Sequence, residues 1–282
     1  MEVFSSVHSY YKWWRAQPKN LKIGFVPTMG ALHEGHMALI AESVKNADLT
    51  VASIFVNPTQ FNDPEDLQKY PRTPEQDINL LKAAGCDAVL MPEAKDIYSD
   101  NYDISINPGE SANILEGAFR PGHFQGVLQV VSKLFNIVKP DLAFFGRKDL
   151  QQLQLIKKMV SAMSFNIEVI GVGTKREESG LAMSSRNMRL SDKERSDALL
   201  LYENLILADK LWQDGKEISE IKNAVTENFN NFEPVKLEYF EAVEPDAFEI
   251  VNSREGVKQK IAFCVAAYVG QVRLIDNILI DN

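Results

Sequence analysis

The feature that most constrains this chain is an alternation that runs through its first 174 residues. Short, mainly apolar runs at 23–26, 51–56, 87–91, 142–145 and 167–172 are each too short for a helix, and the one at 51–56 is β-branched and aromatic. Between them lie segments with helical spacing. Met37 to Asn46 sets Leu39, Ile40, Ser43 and Val44 near one face. Thr73-Pro74-Glu75-Gln76 reads as a capping box with Pro at the first helical position, and Gly85 closes that helix. Val127 to Val138 is an apolar helix that stops before Pro140, and Asp149 to Met163 is another. Strands in this rhythm with helices predict an α/β fold, a parallel sheet with helices on both faces. Ligands of such sheets bind beyond the C-terminal ends of the strands, so chemistry is expected in the loops after Val26, Val56 and Phe145.

The last third changes character. Ser191-Asp192-Lys193-Glu194 is a second capping box, opening a helix toward Trp212, and another helix fits Ile218 to Phe229. Strand-like runs follow at 235–243, 261–269 and 272–275. Helices followed by strands predict a smaller C-terminal α+β domain. The expected division is 1–174 for a Rossmann-like nucleotide- and substrate-binding domain and 175–282 for a C-terminal lid domain.

Composition narrows the partners. A net charge of −9 gives no global attraction for nucleic acid or an acidic membrane, so an anionic substrate needs local cations. No stretch approaches the ~20 apolar residues of a membrane span. The first fifteen residues mix polar and aromatic side chains, unlike a signal peptide. Cys86 and Cys264 sit in apolar stretches without a CxxC or a nearby His. Both are expected to be buried and reduced, which suits the cytoplasm.

Three motifs carry chemistry. Pro27-Thr28-Met29-Gly30-Ala31-Leu32-His33-Glu34-Gly35-His36 follows the first strand and opens a helix. His33 and His36, three apart, face one side of the first turn. Gly35 lets a flat ring or a phosphate approach the backbone, and the helix start offers N–H groups and a positive dipole end. Gly146-Arg147-Lys148-Asp149 follows the 142–145 strand, with Lys148 able to reach a phosphate and Asp149 to cap a helix or orient a metal-bound water. Met183-Ser184-Ser185-Arg186-Asn187 lies in a polar loop, two hydroxyls and a guanidinium suited to clamping an anion. Gln60, after Asn57-Pro58-Thr59, and Gln152, in the first turn after Lys148, have donor and acceptor ends that fit a substrate with hydroxyls and a carboxylate.

Taken with Tyr70-Pro71-Arg72-Thr73, Glu116-Gly117-Ala118-Phe119-Arg120-Pro121-Gly122-His123-Phe124 and Arg273-Leu274-Ile275-Asp276-Asn277, these segments resemble the pantothenate synthetases, or pantoate–β-alanine ligases, within the His-x-Gly-His nucleotidyltransferases. The match covers nearly the whole chain in order and spacing. The resemblance implies that pantoate attacks the α-phosphate of Mg2+-bound ATP, giving pantoyl adenylate and pyrophosphate. β-Alanine then displaces AMP to give pantothenate. It implies that Met29 to His36 line the ATP site, with His36 as proton donor and His33 on the phosphates. Gly146, Arg147, Lys148 and Asp149 would flank the ribose and phosphates, and Met183, Ser184, Ser185 and Arg186 would form a closing loop. Gln60 and Gln152 would grip pantoate, Gln60 would also contact β-alanine, and Asn57 and Tyr70 would support that pocket. It also implies a homodimer.

The sequence departs from the family at Arg147, where Glu or Gln is usual, at Gly173 and Lys175 near the adenine, and at Glu178-Ser179-Gly180. Two other readings stay open at this point. One is another adenylyltransferase of the superfamily, which would have no use for Gln60 and Gln152 in these contexts. The other is a synthetase-like RNA-binding module, which the negative charge opposes.

Overall fold

A computed structural model describes residues 1–98, 104–257 and 259–281. Six strands form the first sheet: β1 (Glu2–Phe4), β2 (Ile23–Thr28), β3 (Leu49–Ile54), β4 (Ala88–Leu90), β5 (Leu142–Gly146) and β6 (Glu168–Val172). Their order is β1-β4-β3-β2-β5-β6, and every pairing is parallel. The chain builds outward from β2 through β3 to β4, then returns to place β5 on the other side of β2. The strand order therefore reverses between β2 and β5, and a crevice opens at their C-terminal ends.

The strands are apolar on both faces because both are covered. In β2, Phe25 meets Phe135 of the His123–Val138 helix at a ring separation of 6.3 Å. Its neighbour Val26 clusters with Leu39 and Ile40 of the Glu34–Asn46 helix on the opposite face. β5 repeats the alternation: Phe145 lies 6.4 Å from Phe135, and Phe144 joins the Val26 cluster. Gly24 permits the close approach of the Glu34–Asn46 helix, since a Cβ there would lie 2.3 Å from the Ser43 hydroxyl.

Among the elements not foreseen are β1 and the Val7–Ala16 helix capped by Ser6. They are held by aromatic contacts: Phe4, Tyr10 and Trp13 pack within 5.5–5.8 Å of one another. The fully buried Tyr10 hydroxyl donates to the Val138 carbonyl at 3.2 Å, and burial raises its pKa. The expected capping box at Thr73 does not form. The helix does begin with Pro74, but the Thr73 hydroxyl donates to Asp77 at 3.1 Å instead of capping a backbone N–H.

The chain divides into two compact units, Met1–Arg147 with Leu155–Gly173, and Lys148–Gln154 with Thr174–Asn282. The second unit thus takes up residues 148–154, which a single cut in the chain does not provide. Its sheet is antiparallel, β10-β9-β7-β8, from β7 (Val235–Glu244), β8 (Glu249–Ile250), β9 (Lys260–Val269) and β10 (Val272–Asp281). The Leu199–Gln213 and Ile218–Asn230 helices contribute Leu205, Trp212, Ile218 and Ile221 to a core around Phe240 and Phe263, whose rings stack at 5.6 Å.

The Ser191 capping box is present, but the helix it opens ends at Asp197, and a second begins at Leu199. β10 extends six residues past its expected end at Ile275. Asp276 and Asn277 interrupt its apolar pattern because both are buried polar groups with partners.

Cys86 and Cys264 are both free thiols and both buried. Desolvation pushes the Cys86 pKa up to about 11, so the reactive thiolate is scarce at pH 8. Native protein at pH 8 is expected to resist an aromatic disulfide reagent for many minutes, and guanidinium-unfolded protein to release two equivalents at once. Rapid labelling of the native protein would contradict the packing described here.

Candidate active site

The loop leaving β2 turns sharply into the Glu34–Asn46 helix. Gly30 and Ala31 both take positive φ, 83° and 49°. For Ala31 this is a strained conformation that its surroundings must enforce. Asp77, 1% exposed, supplies that enforcement. One carboxylate oxygen accepts from the Ala31 N–H at 2.9 Å and the other from the Leu32 N–H at 2.8 Å. A Cβ on Gly30 would lie 3.0 Å from Asp77 Oδ2, so the loop fits closely over this carboxylate.

The helix start is capped by two imidazoles. His33 is the N-cap residue, and its Nδ1 accepts from the Gly35 N–H at 3.1 Å. His36 Nδ1 accepts from the His33 N–H at 3.3 Å. The rings lie 4.1 Å apart and are inclined at 48°. Because each Nδ1 serves as an acceptor, the neutral ring carries its hydrogen on Nε2. Both histidines therefore have their tautomer set by the backbone of the helix they open.

The turn after β3 is organised by Asn57, 1% exposed. Its Nδ2 donates to the Gly126 carbonyl at 3.1 Å and to Gln60 Oε1 at 3.0 Å. Its Oδ1 accepts from the Tyr98 hydroxyl at 2.8 Å. Since the Gly126 carbonyl can only accept, Asn57 must turn its NH2 that way, and Gln60 must answer with its oxygen. The Gln60 amide nitrogen is left toward Met29, donating to its sulfur at 3.1 Å. His123 holds the same turn from below through the Gln60 carbonyl at 2.8 Å, and Arg120 lies 3.1 Å from its other ring nitrogen. Gly126 makes the contact possible, because a Cβ there would meet the Thr59 carbonyl oxygen at 2.4 Å. Tyr70 is buried and packs edge-on to Phe61 at 5.7 Å, so it belongs to the wall behind this turn.

A cavity of about 410 Å3 opens in the same unit beyond β3 and β4, with Met29, Gly30, Ile54, Arg72 and Met91 in its lining. Past β5, Gly146 precedes Arg147, whose Nε donates to the Gly171 carbonyl of β6 at 3.1 Å.

In the second unit, Lys148 Nζ lies 3.8 Å from the half-exposed Asp149 carboxylate, and Asn277 donates to the Lys148 carbonyl at 2.8 Å. Gln151 is buried, while its neighbour Gln152 is partly exposed. Lys148 and Ser184 line one small cleft together with Tyr202 and Asp276. Ser184 caps a short helical turn by accepting from the Arg186 N–H at 3.2 Å, and Met183 precedes it. Ser185 and Asn187 are buried, with Asn187 donating to the Ala182 carbonyl at 3.0 Å. This segment thus buries more than its small polar side chains suggested.

Within the first unit the structure brings together His33 with His36, and Met29 with Gln60 and Asn57. Within the second it brings Lys148 to Ser184. Asp77, His123, Gly126 and Arg176 carry weight that sequence reasoning did not assign. For Asp77 there was a signal. It sits four residues before Leu81, both are buried, and an acid on the inward face of a helix calls for partners.

A parallel sheet with a histidine-capped helix at its switch point is the layout of α/β proteins that handle their ligands beyond the strand ends. Comparison with known proteins specifies the kind. The family model described as pantoate-beta-alanine ligase matches residues 2–279. The pantothenate synthetase of Cytophaga hutchinsonii is 48% identical over 263 residues, 93% of either chain. That of Pseudothermotoga lettingae is 44% identical over 100% of both. Among solved structures, the pantothenate synthetase of Thermus thermophilus matches with a TM-score of 0.91 and 38% identity, covering 99% of each chain. The pantoate-beta-alanine ligase of Francisella tularensis, complexed with beta-gamma ATP and β-alanine, matches with a TM-score of 0.83 and 38% identity over 99% of this chain and 97% of that one. The chain belongs to the pantoate–β-alanine ligase family.

Asp77→Asn tests the loop support. A carboxamide offers one oxygen to two backbone donors, so one N–H is left facing an NH2 group. The expected result is a folded protein, less stable by about 1–3 kcal/mol, with turnover lower by roughly tenfold or more. Unchanged turnover with reduced stability would show that Asp77 serves the fold and does not set the loop.

Proposed function

We propose that this ligase joins pantoate to β-alanine in two steps on the residues described above. A pantoate carboxylate oxygen attacks the α-phosphorus of ATP, the bond to the bridging oxygen breaks, and pyrophosphate leaves. The β-alanine nitrogen then attacks the acyl carbonyl, the bond from that carbon to the phosphate oxygen breaks, AMP leaves, and the amine proton passes to solvent. Adenylation makes the leaving group good, and the protein's task is to position reactants and neutralise charge.

The observation that carries this reading is the double imidazole cap. With both Nδ1 atoms taken by backbone N–H groups, His33 and His36 are Nε2–H donors at the positive end of a thirteen-residue helix. Negative charge grows on the α-phosphate oxygens as pantoate attacks, and donors already fixed in place stabilise it without reorganising. His36 takes the catalytic role and His33 the phosphate contact. Met29, Gly30, Ala31, Leu32, Glu34 and Gly35 supply the surrounding wall.

Gln60 fits pantoate. Its oxygen is engaged by Asn57, so it presents an NH2 group whose present acceptor is only a thioether. A thioether accepts weakly, and a substrate oxygen displaces it at little cost. Gln152 is assigned to the same substrate, and Asn57 and Tyr70 to its support. Lys148 and Arg186 are assigned to the phosphates, with Gly146, Arg147, Asp149, Met183, Ser184 and Ser185 beside them.

Mg2+ belongs to this reading as a companion of the triphosphate. Among the described residues no group of three or more His, Cys, Asp or Glu is placed to hold a metal. Mg2+ characteristically takes phosphate oxygens, waters and one or two carboxylates, and half-exposed Asp149 beside Lys148 meets that modest demand. The ion would neutralise phosphate charge. A homodimer and a cytoplasmic setting complete the proposal. The second is consistent with two buried free thiols, and among the described residues no helix is long and apolar enough to cross a membrane. A sedimenting species of one chain, 31.7 kDa, at micromolar concentration would refute the dimer.

The reaction is tested by AMP release that requires both pantoate and β-alanine; AMP or pyrophosphate formation indifferent to β-alanine would favour an adenylyltransferase. Within that assay, His36→Ala is expected to keep its circular dichroism and lose roughly 10²-fold or more in turnover. A rate within a few-fold of the parent would remove His36 from the chemistry.

A further inference from the structure

Lys148 takes its position from a residue near the other end of the chain. Resting on the assignment of Lys148 to the phosphates, we infer that Asn277 is a positioning residue for adenylate formation. Its side-chain amide holds the Lys148 backbone, and with Asp276 it fixes the spacing between Lys148 and the 183–186 segment.

The contact is direct. Asn277 Nδ2 donates to the Lys148 carbonyl at 2.8 Å, across 129 residues of chain. Lys148 stands in the short helical turn between β5 and the Leu150–Ala162 helix, and none of the three residues of that turn is buried. A turn of this kind has little packing of its own to hold it. The Lys148 ammonium lies 3.8 Å from the Asp149 carboxylate, too far for a hydrogen bond, so that pair does little to anchor the backbone. Asn277 is the opposite case, 7% exposed and in the middle of the ten-residue β10. It pairs in register with Cys264 of β9, which is paired in turn with β7. The donor is thus fixed by the sheet, and the turn that meets it takes its position from the sheet.

The neighbouring residue holds the other motif segment. Asp276 and Asn277 are consecutive in a strand, so their side chains leave on opposite faces. Asp276 shares its face with Leu274, Ile278 and Ile280, which lie in or against the apolar core. There it accepts from both terminal nitrogens of Arg176, at 2.5 and 3.0 Å. The same guanidinium donates to the Asn277 carbonyl at 3.3 Å and to the Gly180 carbonyl at 3.1 Å. The Asn277 N–H donates to Asp276 Oδ1 at 2.8 Å, which ties the two residues to each other. One dipeptide of β10 therefore reaches Lys148 with one side chain and, through Arg176, the stretch that leads to Ser184 with the other. Lys148, Ser184 and Asp276 then meet as walls of one small cleft.

Energetics favour the same reading. A carboxylate 4% exposed and a buried amide are costly to desolvate, and well-packed apolar residues would serve the strand at least as well. What the pair supplies is geometry, a fixed distance from one strand to two segments assigned to the phosphates. Such positioning carries rate, since a displacement of about 1 Å at a reacting group costs on the order of 100-fold.

The test is a double-mutant cycle on the first half-reaction, followed in the complete chain as pantoate-dependent exchange of pyrophosphate into ATP. Asn277→Ala is expected to slow exchange about 10- to 100-fold. Lys148→Ala should slow it as well. Adding Asn277→Ala to Lys148→Ala should then cost less than about threefold more, because a residue that acts through Lys148 has nothing left to position. Attack of β-alanine on preformed pantoyl adenylate should change by less than about threefold in Asn277→Ala, whereas a residue that serves only the fold lowers both steps together. Asn277→Asp keeps the shape and loses the donor. It should match the alanine variant or fall below it, and it serves if the alanine variant does not fold. Effects that multiply in the double variant, equal losses in the two half-reactions, or parental exchange in Asn277→Asp would overturn the inference, and so would loss of the fold in both variants. Parental exchange in Lys148→Ala would instead overturn the assignment of Lys148 to the phosphates, and absence of exchange in the parent would overturn the two-step reaction itself.

Discussion

Much of the first unit depends on the carboxylate of Asp77. Two consecutive residues with positive φ, one of them an alanine, do not hold that shape unaided. Each Asp77 oxygen takes one backbone N–H of the strained turn, and such charge-assisted bonds are worth about 1.5–3 kcal/mol. That is the size of the strain they offset. The turn in turn fixes where the Glu34–Asn46 helix begins, and so where the two imidazoles cap it. Remove the carboxylate and the histidines remain in the sequence, but their tautomers and spacing lose the support that defines them.

The sheet converts this local geometry into a site. Because β2 is central, and the strand order reverses beside it, the loops of β2 and β5 open on one crevice. Burial on both faces makes the strands insensitive to solvent, and the Phe25/Val26 and Phe144/Phe145 alternations lock each helix to its own side. Gly126 then lets the His123–Val138 helix come close enough for its carbonyl to orient Asn57 and, through Asn57, the amide of Gln60. The polarity of the Gln60 amide thus traces back to the absence of a single methyl.

Much of this was legible in the sequence, and the exceptions have physical causes. The long periodic elements and the motifs at strand ends could be read because hydrophobic period and capping chemistry are local. β1 could not, since three residues carry no period and its partner β4 lies some eighty residues away. Thr73 was read as a cap because local chemistry permits it, but a buried acid one turn later competed for the hydroxyl and won. β10 was read too short for the converse reason. Asp276 and Asn277 look like a strand end until their partners at Arg176 and Lys148, more than ninety residues away, are known. The motif residues could be grouped from the sequence, but Asp77 and His123 acquire meaning only from what folds against them.

The second unit handles its own loop by a related device with a different consequence. Asp276, like Asp77, is a buried carboxylate in a regular element that governs a distant turn. It does so through an intermediary. Arg176 makes a paired contact with Asp276 at 2.5 and 3.0 Å, stacks on Tyr202 at 4.0 Å, and only then reaches the Gly180 carbonyl at 3.1 Å. A carboxylate bonded directly to a backbone leaves that backbone one position. A guanidinium arm reaches a turn that the carboxylate cannot touch, and Gly180, at φ 99°, supplies the left-handed backbone there, close against Tyr202. Beyond Gly180 the segment is tied both to itself and to the chain before it, with Ser184 capping its turn, Asn187 holding Ala182, and the Met183 N–H donating to the Lys175 carbonyl at 3.0 Å. Both loops thus answer to a buried carboxylate, the one at the imidazoles through two direct bonds to its backbone and the one at Ser184 through an arginine that spans the gap.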